Sequence, residues 1–73
     1  MKASVKTSNN NQFGINASVE VQENGETSII FFKPGAMHEL MVQKIVGSAT
    51  KEAVNFAKDI VADHFKIERR KVL

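Results

Sequence analysis

The sequence predicts an α+β fold: a three-stranded antiparallel β-meander followed by a long C-terminal helix, with self-association to complete its cover. Three observations lead there. Phe13, Ile15, Ala17, Val19 and Val21 alternate with Asn16, Ser18, Glu20 and Gln22, the two-residue period of a half-buried strand. After Lys33-Pro34-Gly35 the apolar residues Val42, Ile45, Ala49, Ala53, Phe56, Ile60 and Ile67 recur at the spacing of one helix face. Between them, Asn24-Gly25 is a dipeptide that accepts the positive φ angles of a tight hairpin turn.

The first strand, at about 2–7, sets Ala3, Val5 and Thr7 against Lys2, Ser4 and Lys6 on alternate sides. Ser8 to Gln12, with three consecutive asparagines, reads as a polar loop; closing it places Val5 opposite Ile15 and Thr7 near Phe13. The second strand is expected at about 13–22 and the third at about 27–33. A two-residue Asn24-Gly25 loop pairs Glu23 with Glu26, Val21 with Ser28, Val19 with Ile30 and Ala17 with Phe32. One face then collects Val5, Ile15, Ala17, Val19, Val21, Ile30 and Phe32, while Ile29 and Phe31 point the other way. A bulged three-residue loop would swap the parity of the third strand and still leave one apolar pair outward. Four consecutive large apolar residues, Ile29 to Phe32, call for cover on both sides, and one helical layer covers one side.

Pro34 has no N–H to continue a ladder, and Gly35 frees the backbone to turn. A helix is therefore expected over about 36–67, with Met37, Leu40 and Met41 opening its apolar stripe and Glu39 in its first turn. Gly47-Ser48 can end one helix and cap another. The polar stripe Lys44, Ser48, Lys51, Asn55, Lys58, Ala62 and Lys66 nevertheless stays in phase across it. The expectation is one continuous or slightly kinked helix, a break at Gly47-Ser48 being the alternative. Such a helix would be about 48 Å long, against a diameter near 30 Å for a compact chain of this size. Its overhang would carry Phe56, Ile60, Val61, Phe65 and Ile67, for which a second copy is the natural cover.

The 73 residues, 1–73, are expected to form a single small domain. Chains of this size bury only about 60% of their unfolded surface and commonly need a disulfide, a metal or a partner copy. Zero cysteines remove the first and suit a cytoplasmic location; two separated histidines argue against the second. No apolar leader or membrane-length run is present, so no membrane partner is expected. Asn16-Ala17-Ser18 matches a glycosylation acceptor by chance. The formal charge is +2, but Lys66, Arg69, Arg70 and Lys71 against Glu68 make residues 66–71 locally +3.

No constellation points to catalysis, so the chain is read as not an enzyme and without cofactor. His38-Glu39-Leu40-Met41-Val42 opens like a zinc-protease helix, but Val42 stands where the second histidine belongs. His64, Asp63 and Asp59 share a helix side, flanked by Lys58 and Lys66, which favours surface pairing over a metal site. Ser48 and Thr50 read as helix-capping residues, and Gly14, Gly25, Gly35 and Gly47 are scattered singletons rather than a phosphate loop. Glu20, Glu23 and Glu26 cluster at a hairpin tip, not in a pocket.

Ala49, Ala53 and Ala57 form a ridge of small residues that suits either a helix crossing between copies or close packing on the chain's own sheet. The expected self-association surface is Ile29, Phe31, Ala49, Ala53, Phe56, Ala57, Ile60, Val61, Phe65 and Ile67, most simply in a two-fold dimer. The leading functional expectation is a small, non-catalytic, homo-oligomeric binding or regulatory protein acting through contacts with itself and another protein. The alternative is a nucleic-acid-associated factor using Lys2, Lys6, Lys66, Arg69, Arg70 and Lys71. Against it stand the short patch, the lack of tryptophan and tyrosine, and the favourable placement of cations at any helix C-terminus. Phe31 with Lys2, Lys6 and Ser18 could mimic a single-strand-binding platform, though Ile29 and Glu20 beside it suit protein contact better. A further alternative is a small-molecule pocket between subunits.

Overall fold

The computed structural model describes residues 1–7, 16–35 and 39–73, apart from the Gln43 side chain. Strands β1 Lys2–Thr7, β2 Ala17–Glu23, β3 Glu26–Pro34 and β4 Leu40–Val46 form an antiparallel sheet in chain order. Helix α1, Lys51–Phe65, lies over β1 and β2. A 3₁₀ turn at Arg69–Lys71 then leads Val72 to a parallel bridge with Leu40 on the outer edge of β4. The sheet is thus a four-stranded meander with a one-residue fifth member, where three strands were expected.

The β2–β3 hairpin has the register that Asn24-Gly25 dictates, from Glu23 opposite Glu26 to Ala17 opposite Phe32. Asn24 at φ 52° and Gly25 at φ 80° both take the positive values of a type I′ turn, whose twist matches that of the strands it joins. The β1–β2 pairing differs from expectation. Val5 faces Val19 and Thr7 faces Ala17, four residues from the anticipated partners, and β2 begins at Ala17 rather than 13. A shift by an even number leaves every side chain on its expected face, and loop closure becomes only slowly more costly with length. The proposed partners Phe13 and Ile15 lie outside the described residues.

The larger correction concerns residues 40–46, expected as helix and found as β4. Phe32 faces Val42, but its neighbour Phe31 faces Lys44, so Gln43 is an extra residue in a β-bulge. That insertion stretches the strand period between Val42 and Ile45 to three residues, which imitates helical spacing. What favours strand here is the second edge of β3, whose N–H and C=O groups would otherwise lack a partner strand. The proposed helix start at Ala36 or Met37 lies outside the described residues.

Gly47 ends β4 with φ +101°, and a Cβ placed there would lie 2.5 Å from the Thr27 carbonyl oxygen and 3.0 Å from Ser28 Cα. Gly47 therefore separates a strand from a helix rather than two helices, and the chain turns there over the sheet. Helix α1 starts where Thr50, in extended backbone, accepts a 3.1 Å hydrogen bond from the Ala53 N–H through its hydroxyl. Glu52 lies in the first turn, favourable to the helix dipole. The helix closes at Lys66, which adopts left-handed φ 55°, ψ 44°, while the Ile67 N–H donates to the Ala62 carbonyl. Its 15 residues span about 22 Å, well within the 35 Å long axis of the molecule. The expected 48 Å helix and its overhang do not exist.

Ala53, Ala57 and Val61, spaced four apart on α1, are almost fully buried in one cluster with Val19 and Val21 of β2 and Ile30 and Phe32 of β3. Small side chains on the helix let it settle close to the sheet. The chain end seals the side of this core: Val72 is buried, and the Leu73 N–H donates to the Leu40 carbonyl at 2.7 Å.

Three substitutions test these points by denaturant unfolding. Gly47→Ala should cost about 1–3 kcal/mol, more than Gly25→Ala, because Gly25 has open space around its missing Cβ. Thr50→Ala should cost about 1 kcal/mol and Thr50→Ser far less. Lys66→Gly should stabilise by about 1 kcal/mol, since glycine takes the left-handed conformation without steric cost.

Candidate functional site

The alternation of β3 divides its four large residues between two faces. Ile30 and Phe32 lie under the helix, at 0% and 1% exposure. Ile29 and Phe31 point to the opposite, outer face, where Phe31 is 37% exposed. The registers of the three strand pairs align Lys6, Ser18, Phe31 and Lys44 in one row across the sheet. Beside it runs the row Ser4, Glu20, Ile29 and Val46. Lys33 and Met41 face each other one step beyond Phe31 on the same side. Three interstrand steps put the backbones of Lys6 and Lys44 about 14 Å apart, with the phenyl ring between them.

This face is apolar in the middle and cationic around it. Met41 and Val46 are 37% and 44% exposed. The outward strand residues include Lys2, Lys6, Lys33 and Lys44 against one carboxylate, Glu20. Lys6 pairs with Glu20 at 3.8 Å, but both side chains are substantially exposed, so the pair is weak. Lys2, Lys33 and Lys44 have no carboxylate partner among the described residues. A concavity of about 430 Å³ opens at the end of the sheet, lined by Lys6, Ser18, Phe31 and Lys33 of the outer face and by Thr7, Ala17 and Phe32 of the inner one.

The residues expected for self-association do not form one surface. Ile29 and Phe31 lie on the outer face. Ala53, Ala57 and Val61 are core residues of the chain itself, so the alanine ridge packs on its own sheet. Ala49, Phe56, Phe65 and Ile67 are half-buried against that core, and Ile60 is half-buried on α1.

Nor does the basic C-terminal end join Lys2 and Lys6. Those lysines project from β1, one edge of the sheet, whereas the chain end returns to β4, the other edge. Arg69 Nε donates to Asp59 Oδ1 at 2.5 Å and Arg70 Nε to Glu68 Oε2 at 2.7 Å, both as exposed surface pairs. Lys66 forms the helix C-cap, and Lys71 is exposed in the 3₁₀ turn.

His38 lies outside the described residues. His64 stacks edge-on against Phe65 with ring centroids 4.8 Å apart, and Asp59 is engaged by Arg69. No three His, Asp or Glu side chains gather as metal ligands among the described residues. No helix among them is long and apolar enough to cross a membrane.

Sequence reasoning missed Lys33, Met41, Lys44 and Val46 as part of the outer face. Lys33 was legible, being two residues from Phe31 on the same strand. The other three required β4, which the bulge concealed. No protein-family model, curated protein or solved structure matches this chain.

The neighbouring phenylalanines test the division of faces. Phe32→Ala should cost about 3–5 kcal/mol of stability, while Phe31→Ala should change it by about 0.5 kcal/mol or less. Equal losses at the two positions would show that the outer face is covered within the folded chain.

Proposed function

We propose that this chain is a small, non-catalytic binding protein of the cytoplasm, and that the outer face of its sheet is the working surface. One observation supports this above others. The fold covers one face of β3 completely and leaves Phe31, with Met41 and Val46 on the adjacent strand, open to water on the other. Exposed apolar residues gathered on one rigid face are the usual mark of a contact surface. The sheet holds them in fixed register, so little side-chain or backbone order has to be created on binding.

Self-association through this face is a second reading, favoured by Ile29, Phe31, Met41 and Val46 lying side by side on adjacent strands. Sedimentation equilibrium over a range of concentrations separates the two. A monomer of 8.1 kDa leaves the face free for another molecule. A dimer that dissociates on Phe31→Glu makes the face its own partner site. A dimer indifferent to Phe31→Glu and Met41→Glu would place the contact elsewhere and overturn the proposal.

A further inference from the structure

We infer that the occupant of the outer face is a single-stranded nucleic acid, with one base stacked on Phe31 and the flanking phosphates held by Lys6, Lys33 and Lys44. This deepens the reading just given and rests on it. The outward strand residues carry four lysines and one glutamate, so the face is more positive than the whole chain at +2, and everything else sums to −1. Of the four cations in the C-terminal segment, the two arginines are paired with Asp59 and Glu68, while Lys66 and Lys71 are not. Lys2, Lys33 and Lys44 on the sheet face have no carboxylate partner among the described residues; Lys51, Lys58, Lys66 and Lys71 are likewise unpaired there, but the sheet-face lysines are the ones set beside exposed apolar groups.

Shape narrows the class of anion. Lys6 and Lys44 stand at the two ends of the row that has Phe31 inside it, and Lys33 follows Phe31 on the same strand. Cations around an exposed aromatic ring suit a ligand that alternates negative charge with flat apolar surface. A single strand has this form: phosphates at regular intervals and unpaired bases that stack on side chains. An acidic peptide supplies the charge but has no flat group that requires Phe31. A duplex supplies phosphates but keeps its bases stacked inside. The concavity of about 430 Å³ at the sheet end, which Phe31, Lys6 and Lys33 line from the outer face, gives a base next to Phe31 somewhere to lie. A width of about 14 Å between the outer lysine backbones corresponds to a short site, comparable at most with the lower end of the roughly 4–16 nucleotides an OB fold engages.

The chain contains no tryptophan or tyrosine, so Phe31→Trp introduces a single fluorophore at the proposed stacking position. Its emission should be quenched on titration with mixed-sequence single-stranded oligonucleotides, ribo- and deoxyribo- forms being tested separately. The duplex of the same sequence should bind at least 10-fold more weakly. In the unmodified protein, binding followed by fluorescence anisotropy of a labelled oligonucleotide should weaken with salt, with a log–log slope of about −2 for three phosphate contacts. Lys33→Ala and Lys44→Ala should each make that slope shallower by about 0.7. Phe31→Leu keeps the apolar surface but removes the aromatic ring, and should weaken binding about 10-fold or more. Lys71→Ala serves as the control away from the face and should leave the affinity unchanged.

Equal affinity for duplex and single strand, or indifference to Phe31→Leu, would reduce the effect to general attraction of polyanions and overturn the inference. No binding at 50 mM salt would overturn it as well. If the same protein then formed a dimer disrupted by Phe31→Glu, the outer face would stand as the working surface and only its occupant would be wrong. Oligonucleotide binding unaffected by any outer-face substitution would defeat both.

Discussion

Strand β3 runs through the middle of the sheet with both edges hydrogen-bonded, and that confinement governs the rest of the molecule. A strand paired on both sides cannot rotate about its axis, so Ile30 and Phe32 are held on one face and Ile29 and Phe31 on the other. The first pair seeds the core with Val19 and Val21, and the helix adds small side chains to approach them closely. The second pair is held just as firmly but stays partly open to water, with Ile29 half-buried and Phe31 37% exposed. The core and the partly exposed outer face are therefore two consequences of one hydrogen-bonded geometry.

The connection from β4 to the helix shows how narrowly this arrangement is met. The chain must leave the sheet beside the backbone of Thr27 and the small side chain of Ser28, and only a residue without Cβ passes there. Ser28 is itself buried on the inner face, opposite Val21, where a larger residue would occupy the space Gly47 needs. The helix then runs back across the sheet, and the returning chain end pairs with Leu40 at the start of β4. Strand, helix and terminal residues so enclose the core from three sides, a compact solution for a chain without disulfides.

Charge is distributed along the same division. Carboxylates hold Arg69 and Arg70 near the helix end, and Glu23 accepts a hydrogen bond from the Thr50 hydroxyl at the helix start. The lysines of the outer face are left without such company except at Lys6. A modest overall charge therefore conceals a local excess of cations, set beside exposed apolar groups on a rigid sheet. Electrostatic attraction of this kind acts over about 10 Å at ordinary ionic strength and would concentrate anions near that surface before contact.

Much of this is readable from the chain wherever local geometry decides. Asn24-Gly25 specifies a turn with two positive φ angles; the turn specifies the register, and the register sends Ile29 and Phe31 outward. The helix from Thr50 onward is legible for a similar reason, in its cap and in the four-residue spacing of Ala53, Ala57 and Val61. Residues 40–46 resist such reading because the extra Gln43 converts a strand's period into a helix's, and no neighbour in sequence reveals it. Whether that segment coils or pairs depends on the empty edge of β3, which exists only once the chain has folded. The same holds for the surface: Phe31 could be placed outward from its own hairpin, but its grouping with Met41, Lys44 and Val46 comes from a strand contact about a dozen residues away in sequence. Short-range torsional preferences thus set the pieces, and long-range hydrogen bonding chose how they meet.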